Sequence, residues 1–270
     1  MDENPSLAKI EPTSKLSLKF SHAASVEAVV AEGLACQRGG RTVVSGISFK
    51  VEAGSALALR GPNGSGKTTL LRTIAGYLQP SAGAIHVVHA ARPPHPNPLP
   101  KGRGSQAVDL SLREEDFSGV PSPLGEKDRM RGDSEGVYHY IGHANGIKPR
   151  LSVIENVSFW QRYYSGGEDI EAAEDALEAF ALLNLASFSA GHLSQGQARR
   201  LGLARLVAAH RPVWLLDEPQ AALDAASTRL LESAIAAHLS SGGLAIVSTH
   251  LDLALPDAQV LELGMLGAVQ

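Results

Sequence analysis

Residues 55–78 read SALALRGPNGSGKTTLLRTIAGYL, and the order of residue types within them decides the fold of the chain. Ser55 to Leu59 is a short apolar run of the length expected for a buried strand. Gly61 to Thr68, GPNGSGKT, follows at once, and Lys67 to Leu78 places Leu70, Leu71, Ile74 and Leu78 on one helical face. Strand, glycine-rich loop and helix is the context that a phosphate-binding loop requires. Gly61, Gly64 and Gly66 permit backbone conformations closed to other residues, which turns successive N–H groups toward phosphate oxygens at a helix N-terminus. Lys67 adds a point charge for the β and γ phosphates, and Thr68 offers a hydroxyl to Mg²⁺. The expected nucleotide-binding set is Gly61, Pro62, Asn63, Gly64, Ser65, Gly66, Lys67, Thr68 and Thr69.

The next informative stretch is VWLLDE, residues 213–218. Asp217 follows four apolar residues, which places it at the carboxyl end of a buried strand, where it can hold Mg²⁺ with Thr68. Glu218 then acts on the attacking water as general base or positioner. His250, at the end of LAIVSTH (residues 244–250), is a third candidate within reach of a γ-phosphate. Buried strands alternating with helical patterns indicate an α/β fold with a largely parallel sheet.

Composition narrows the classes. The chain has 270 residues, 44% hydrophobic and 19% charged, with a formal net charge of -4. That is globular composition with no basic stripe, so nucleic acid is not an expected partner. The single cysteine, Cys36, excludes an intramolecular disulfide framework and fits a reducing compartment as a small buried hydrophobe. The N-terminal MDENPSLAKIEPTSKLSLKF lacks a secretory pattern, and no run of about eighteen apolar residues reads as a membrane span.

Residues 1–28 read as a polar, disordered extension and 29–270 as one ATP-binding domain. Within it, residues 92–136 hold seven of the fifteen prolines and few large apolar residues. Such a piece cannot bury enough surface to offset its ordering, and reads as a disordered insertion. PPHPNPLPKGRG resembles a translated dispersed bacterial DNA repeat, which makes the segment a passenger; a proline-rich docking segment is the other reading. Regular structure resumes at VYHYIGH. Helical spacing marks SVIENVSFWQRYY (152–164) and DIEAAEDALEAFAL (169–182), with a helical subdomain over about 150–205. Phe159, Trp160, Tyr163 and Tyr164 serve either the core or a partner groove.

A second helix-opening motif, LSQGQ at Leu193 to Gln197, completes the pattern. With the phosphate loop and Asp217–Glu218, it resembles the LSGGQ signature of the ATP-binding subunits of ABC transporters, Gln195 standing for the first glycine. ALD at Ala222 to Asp224 resembles the D-loop, with Ala221 at the usual serine position. The resemblance runs from about Glu32 to the end, excluding the insertion. It implies a P-loop fold with a RecA-like core, an antiparallel β subdomain and a helical signature subdomain. It also implies that Ser194, Gly196 and Gln197 cap the γ-phosphate of a nucleotide held by a second copy, so that two chains close head to tail around two ATP.

Two departures stand out. His143 occupies the Q-loop glutamine position, where a ring nitrogen can contact Mg²⁺ or water. Arg38 occupies the adenine-stacking position, where it either stacks on the base or is solvated.

GHANGIKPRLSVIENVSFWQRYY and RRLGLARL make the chain resemble the haem-exporter ATPases of bacterial cytochrome c maturation. That resemblance implies ATP hydrolysis coupled to separate transmembrane subunits, a homodimer of ATPase subunits, and haem handled by the partners and not by this chain. It also implies a peripheral position on the cytoplasmic face of the inner membrane. The alternatives are another ABC transporter ATPase, or a soluble ABC ATPase acting on DNA or ribosomes; the latter usually adds coiled coils or a second cassette.

Overall fold

The computed structural model describes residues 26–89, 136–250, 253–255 and 257–264. The proline-rich segment, apart from Gly136, and residues 1–25 of the extension lie outside these. Two sheets organise the chain. Strands β1 (Val26–Arg38), β2 (Arg41–Glu52) and β4 (Ala82–His89) form an antiparallel sheet in the order β2-β1-β4. Strands β3 (Ala56–Arg60), β5 (Tyr138–Ile141), β6 (Val213–Asp217), β7 (Leu244–Ser248) and β8 (Gln259–Glu262) form a parallel sheet in the order β5-β6-β7-β3-β8.

The expected extension boundary at residue 28 is too late. Val26 and Ala28 already point inward in β1, pairing with His89 and Val88 of β4, while Glu27 between them faces solvent. The outward glutamate between two inward residues disguises the start of the strand as polar chain.

The parallel sheet separates two cores. Along β6, Val213 and Leu215 face one cluster with Leu57, Leu59, Leu70 and Leu71, whereas Trp214 and Leu216 face the other with Leu203, Leu206 and Ile235. β7 alternates in the same way, with Leu244 and Ile246 on one side and Ala245 and Val247 on the other. Both faces are therefore covered, which is why these strands read as unbroken apolar runs. The first core joins the antiparallel sheet to helix α1 (Lys67–Ile74); the second carries helices α2 (Val153–Ser165), α3 (Ile170–Ala179), α4 (Gln195–Ala208) and α5 (Ala225–Ser240).

Helix ends follow local chemistry. Ser152 opens α2 and Ser194 opens α4 with reciprocal capping boxes to Glu155 and Gln197, and Asp169 and Asp224 cap α3 and α5. Helix α1 stops at Ile74, short of the expected Leu78. Gly76 takes a left-handed φ of 80°, its N–H donates to the Thr73 carbonyl and the Tyr77 N–H donates to the Arg72 carbonyl. That closing pattern terminates the helix and leaves Leu78 exposed.

Candidate functional site

Register brings the expected residues together. Ser248 of β7 pairs with Asp217 of β6 on one side and with Leu59 of β3 on the other. The carboxyl ends of these strands therefore form one row, the usual ligand edge of a parallel sheet. The phosphate loop leaves β3, Asp217 and Glu218 end β6, Ser248 and His250 end β7, and Gly142 and His143 follow β5.

The loop is held by its neighbours. Gly61 (φ 138°) and Gly66 (φ 99°) occupy backbone regions that favour glycine. A β-carbon at Gly61 would strike the Leu263 carbonyl, and one at Gly66 would lie 2.5 Å from Val44 Cγ2 and 3.2 Å from the Val43 carbonyl. Lys67, buried at the start of α1, donates to the Gly61 carbonyl at 2.7 Å and the Pro62 carbonyl at 3.1 Å. Burial pulls its ammonium below the ordinary lysine value, while the Glu218 and Asp217 carboxylates oppose that shift. Pro62, Asn63 and Gly64 are exposed, Thr69 is buried in α1, and Ser65 Oγ is buried with no hydrogen-bond partner among the described residues.

Asp217 is fully buried, yet its carboxylate is surrounded by donors. Thr68 Oγ1 donates to Oδ1 at 3.1 Å, Ser248 Oγ to Oδ1 at 2.7 Å and Tyr140 OH to Oδ2 at 3.4 Å. His143 Nε2 lies 3.8 Å from Oδ2. A hydroxyl beside a carboxylate is a hard-oxygen donor pair, matched to Mg²⁺, which takes one or two protein oxygens and completes its shell with water and phosphate. Among the described residues no cluster of three His, Cys, Asp or Glu side chains forms a softer metal cage.

Glu218 stands just beyond, at a left-handed φ of 47°. Its N–H donates to the Ser248 carbonyl at 3.1 Å and shares Ser248 Oγ at 3.0 Å, and its Oε1 lies 2.7 Å from His250 Nε2. Thr68, Asp217, Glu218, His250 and His143 thus meet at one strand edge. Ser248 and Tyr140 were not foreseen. Ser248 is the first hydroxyl after the apolar run LAIV, and aligning the two strand ends would have found it.

The remaining candidates lie elsewhere. Arg38 faces Arg41 across the exposed end of the β1–β2 hairpin, with Val43 and Val44 of β2 touching the loop at Gly66. Ser194 and Gln197 are tied to each other, with Ser194 N–H donating to Gln197 Oε1 at 2.9 Å and Gln197 N–H to Ser194 Oγ at 3.2 Å. Ser194 is exposed and Gly196 is partly so; none of the hydrogen bonds in this turn reaches the phosphate loop. Of the four aromatic residues, Trp160 is buried over the Arg205 guanidinium and stacked on Tyr164, whereas Tyr163 is exposed. No helix among the described residues is long and apolar enough to cross a membrane.

Known proteins match this arrangement. The ABC transporter family model covers residues 44–221. The cytochrome c biogenesis ATP-binding export protein CcmA of Roseobacter denitrificans is 42% identical over 89% of this chain and 92% of its own length. The protein of the same name from Paracoccus denitrificans is 44% identical over 86% of both chains. A solved ABC transporter ATP-binding chain from Pyrococcus furiosus shares the fold, with a TM-score of 0.65 over 87% of this chain and 97% of its own, at 24% identity.

Proposed function

The chain belongs to the ABC transporter family, and from that membership we propose that it is the ATP-hydrolysing subunit of a membrane complex serving cytochrome c biogenesis. Its turnover drives haem export or release of the haem-loaded chaperone. The observation that carries the reading is the single edge where Lys67, Thr68, Asp217, Glu218 and His250 converge, while Ser194 and Gly196 stay outside it.

The loop amides and Lys67 bind and orient the triphosphate, Lys67 exchanging the Gly61 and Pro62 carbonyls for phosphate oxygens. Thr68 and Asp217 would hold Mg²⁺, which would supply neutralising charge for the phosphate oxygens. Ser248 and Tyr140 fix the Asp217 carboxylate. Glu218 orients and deprotonates the attacking water, and His250, 2.7 Å from its carboxylate, positions it and meets the γ-phosphate. His143, with Nε2 3.8 Å from the Asp217 carboxylate, would contact the same water or Mg²⁺. Arg38 lies on the base side, and Ser194, Gly196 and Gln197 cap a nucleotide held by the second protomer, closing a homodimer. The work passes to separate transmembrane subunits from the cytoplasmic face of the bacterial inner membrane. Those partners handle haem, and this chain takes no nucleic acid.

The test is a Glu218→Gln strain. Its membrane complex assembles and its periplasmic chaperone loads haem, but release stops. Covalent c-type cytochromes disappear from haem-stained gels while b-type haem proteins persist. Normal c-type cytochromes, with no second gene copy, would reject the haem assignment.

A further inference from the structure

Arg199 is the most heavily bonded side chain near the site and plays no part in the chemistry above. It sits in the second turn of α4, three residues past Gly196, and is only 3% exposed. Its Nε donates to the Pro219 carbonyl at 3.0 Å, and its Nη2 to the Glu218 carbonyl at 2.9 Å and, more distantly, the Asp217 carbonyl at 3.5 Å. On the other side, its Nη1 donates to the Gly142 carbonyl at 2.9 Å and Asn145 Oδ1 at 3.0 Å. Five N–H groups meet five neutral acceptors, and no carboxylate is among them. Desolvation lowers the guanidinium's pKa, nearby Arg205 lowers it further, and Asp217 opposes both. A buried cation held only by carbonyls is costly, so packing alone does not account for it.

Its acceptors lie at two important places. The Asp217 and Glu218 carbonyls belong to the two peptides that flank the left-handed backbone of Glu218, and the Pro219 carbonyl to the next peptide, so together they hold the direction of its carboxylate. The Gly142 carbonyl directly precedes His143. The same helix grips the segment after β5 elsewhere: a β-carbon on Gly202 would lie 3.0 Å from Asn145 Cβ, and one on Gly146 would lie 2.7 Å from Arg205 Nη1. Helix α4 and residues 142–146 are therefore packed as one unit, and Arg199 is where that unit holds the Glu218 backbone. Its Cα is only about 6 Å along the axis from the helix start at Gln195.

We propose that Arg199 is a positioning residue that makes the alignment of Glu218 depend on the placement of the signature helix. Engagement of Ser194 and Gly196 by the second protomer's nucleotide thereby licenses the carboxylate of the same chain. This rests on the ATPase reading and deepens it. Lysine cannot substitute, because one tetrahedral ammonium cannot reach carbonyls on opposite edges of a planar fork.

The experiment is a double-mutant cycle on the full chain, measuring kcat, KM and the affinity for a non-hydrolysable ATP analogue. Arg199→Met is expected to lower kcat about tenfold to a hundredfold, the cost of misplacing a reacting group by an ångström or less, with KM and analogue affinity within about twofold. Arg199→Lys is expected to behave as Arg199→Met does, and takes its place in the cycle if the methionine variant does not fold. In a Glu218→Gln background, either Arg199 substitution is expected to cost nothing further. Three results would overturn the inference: an unchanged kcat, a lysine variant restored to wild-type kcat, or an equal loss in both backgrounds. Absence of turnover in the wild-type chain would instead remove the ATPase reading on which it stands.

Discussion

The phosphate loop and the signature turn are both glycine-bearing helix openings, yet their glycines are required for different reasons. At Gly61 and Gly66 the chain itself forbids a side chain, through positive φ and through the Leu263 carbonyl and Val44. Gly196 has helical backbone, and a β-carbon there would meet only the Ala222 carbonyl, at 3.3 Å. Nothing among the described residues demands glycine at the signature turn with the same force. The demand at the phosphate loop is internal to the chain, and the weaker demand at the signature turn is compatible with the head-to-tail dimer proposed above.

The strongest way to separate the halves is to stop the chemistry while leaving both intact. Glu218→Gln is expected to slow phosphate release by about 10²–10⁴-fold, the usual range for removing a general base, with nucleotide affinity retained. Size-exclusion chromatography with ATP should then show a dimer; a monomer at high concentration would break the comparison.

Next in size are the two glycines. Gly66→Ala combines a disfavoured φ with overpacking against Val44, an expected loss of about 2–5 kcal/mol of stability, together with nucleotide binding. Gly196→Ala is expected to change stability by less than about 1 kcal/mol and leave nucleotide affinity unchanged while lowering turnover. Thermal melting and nucleotide titration of both variants would decide. Equal melting losses would mean that the two turns are constrained alike.

Acid should weaken the internal framework without acting through the signature turn. His139 of β5 is completely buried against the Ala209 carbonyl and the edge of Tyr164, and burial holds its pKa well below the ordinary 6.5; the hydrogen bond with the Ala209 carbonyl opposes that shift, and Arg205, Arg211 and His210 add to it. The unfolded imidazole takes a proton near pH 6.5 and the folded one resists it, so the unfolded chain binds more protons as pH falls. Stability is therefore full above pH 6.5 and drops below it, by at most about 1.4 kcal/mol per pH unit. His139→Gln should flatten melting temperature between pH 6.5 and 5. The capping carboxylates Glu155 and Asp224 act in a lower window, because their backbone hydrogen bonds depress values that start at 4.5 and 3.8.

The smallest effect lies beside the signature helix. Ala181 closes α3 at a φ of 52°, with its N–H donating to Glu178 and the Leu182 N–H to Leu177, and Arg200 donating to its carbonyl. Gly76 plays the same part at the end of α1. Ala181→Gly should raise stability by about 0.5–1 kcal/mol, read by melting, with turnover unchanged.

Legibility in the sequence followed locality. The placement of Lys67, Thr68, Asp217 and Glu218 at one strand edge was readable because each sits inside a short stretch with its own secondary-structure context. Ser248 and Tyr140 were not, since each acts through a strand neighbour distant in sequence. Arg199 was hidden more deeply: its acceptors are mostly main-chain carbonyls, which every residue carries, contributed by residues 142 and 217–219. The parallel sheet followed from unbroken apolar runs alternating with helical patterns and the antiparallel sheet from the family resemblance, whereas the early end of α1 turned on the left-handed Gly76 and the early start of β1 on one outward glutamate.

The left-handed backbone at Glu218 sets durability against usefulness. Glycine there would relax the strain, so a selection that rewards survival of heat alone would accept it, and on the role proposed for Glu218 the survivors would be sturdy proteins unable to split ATP. Thermostable descendants of this chain should therefore be sought by screening turnover and melting together, with residue 218 held constant and substitutions directed to positions such as 181, where the backbone strain serves no chemistry.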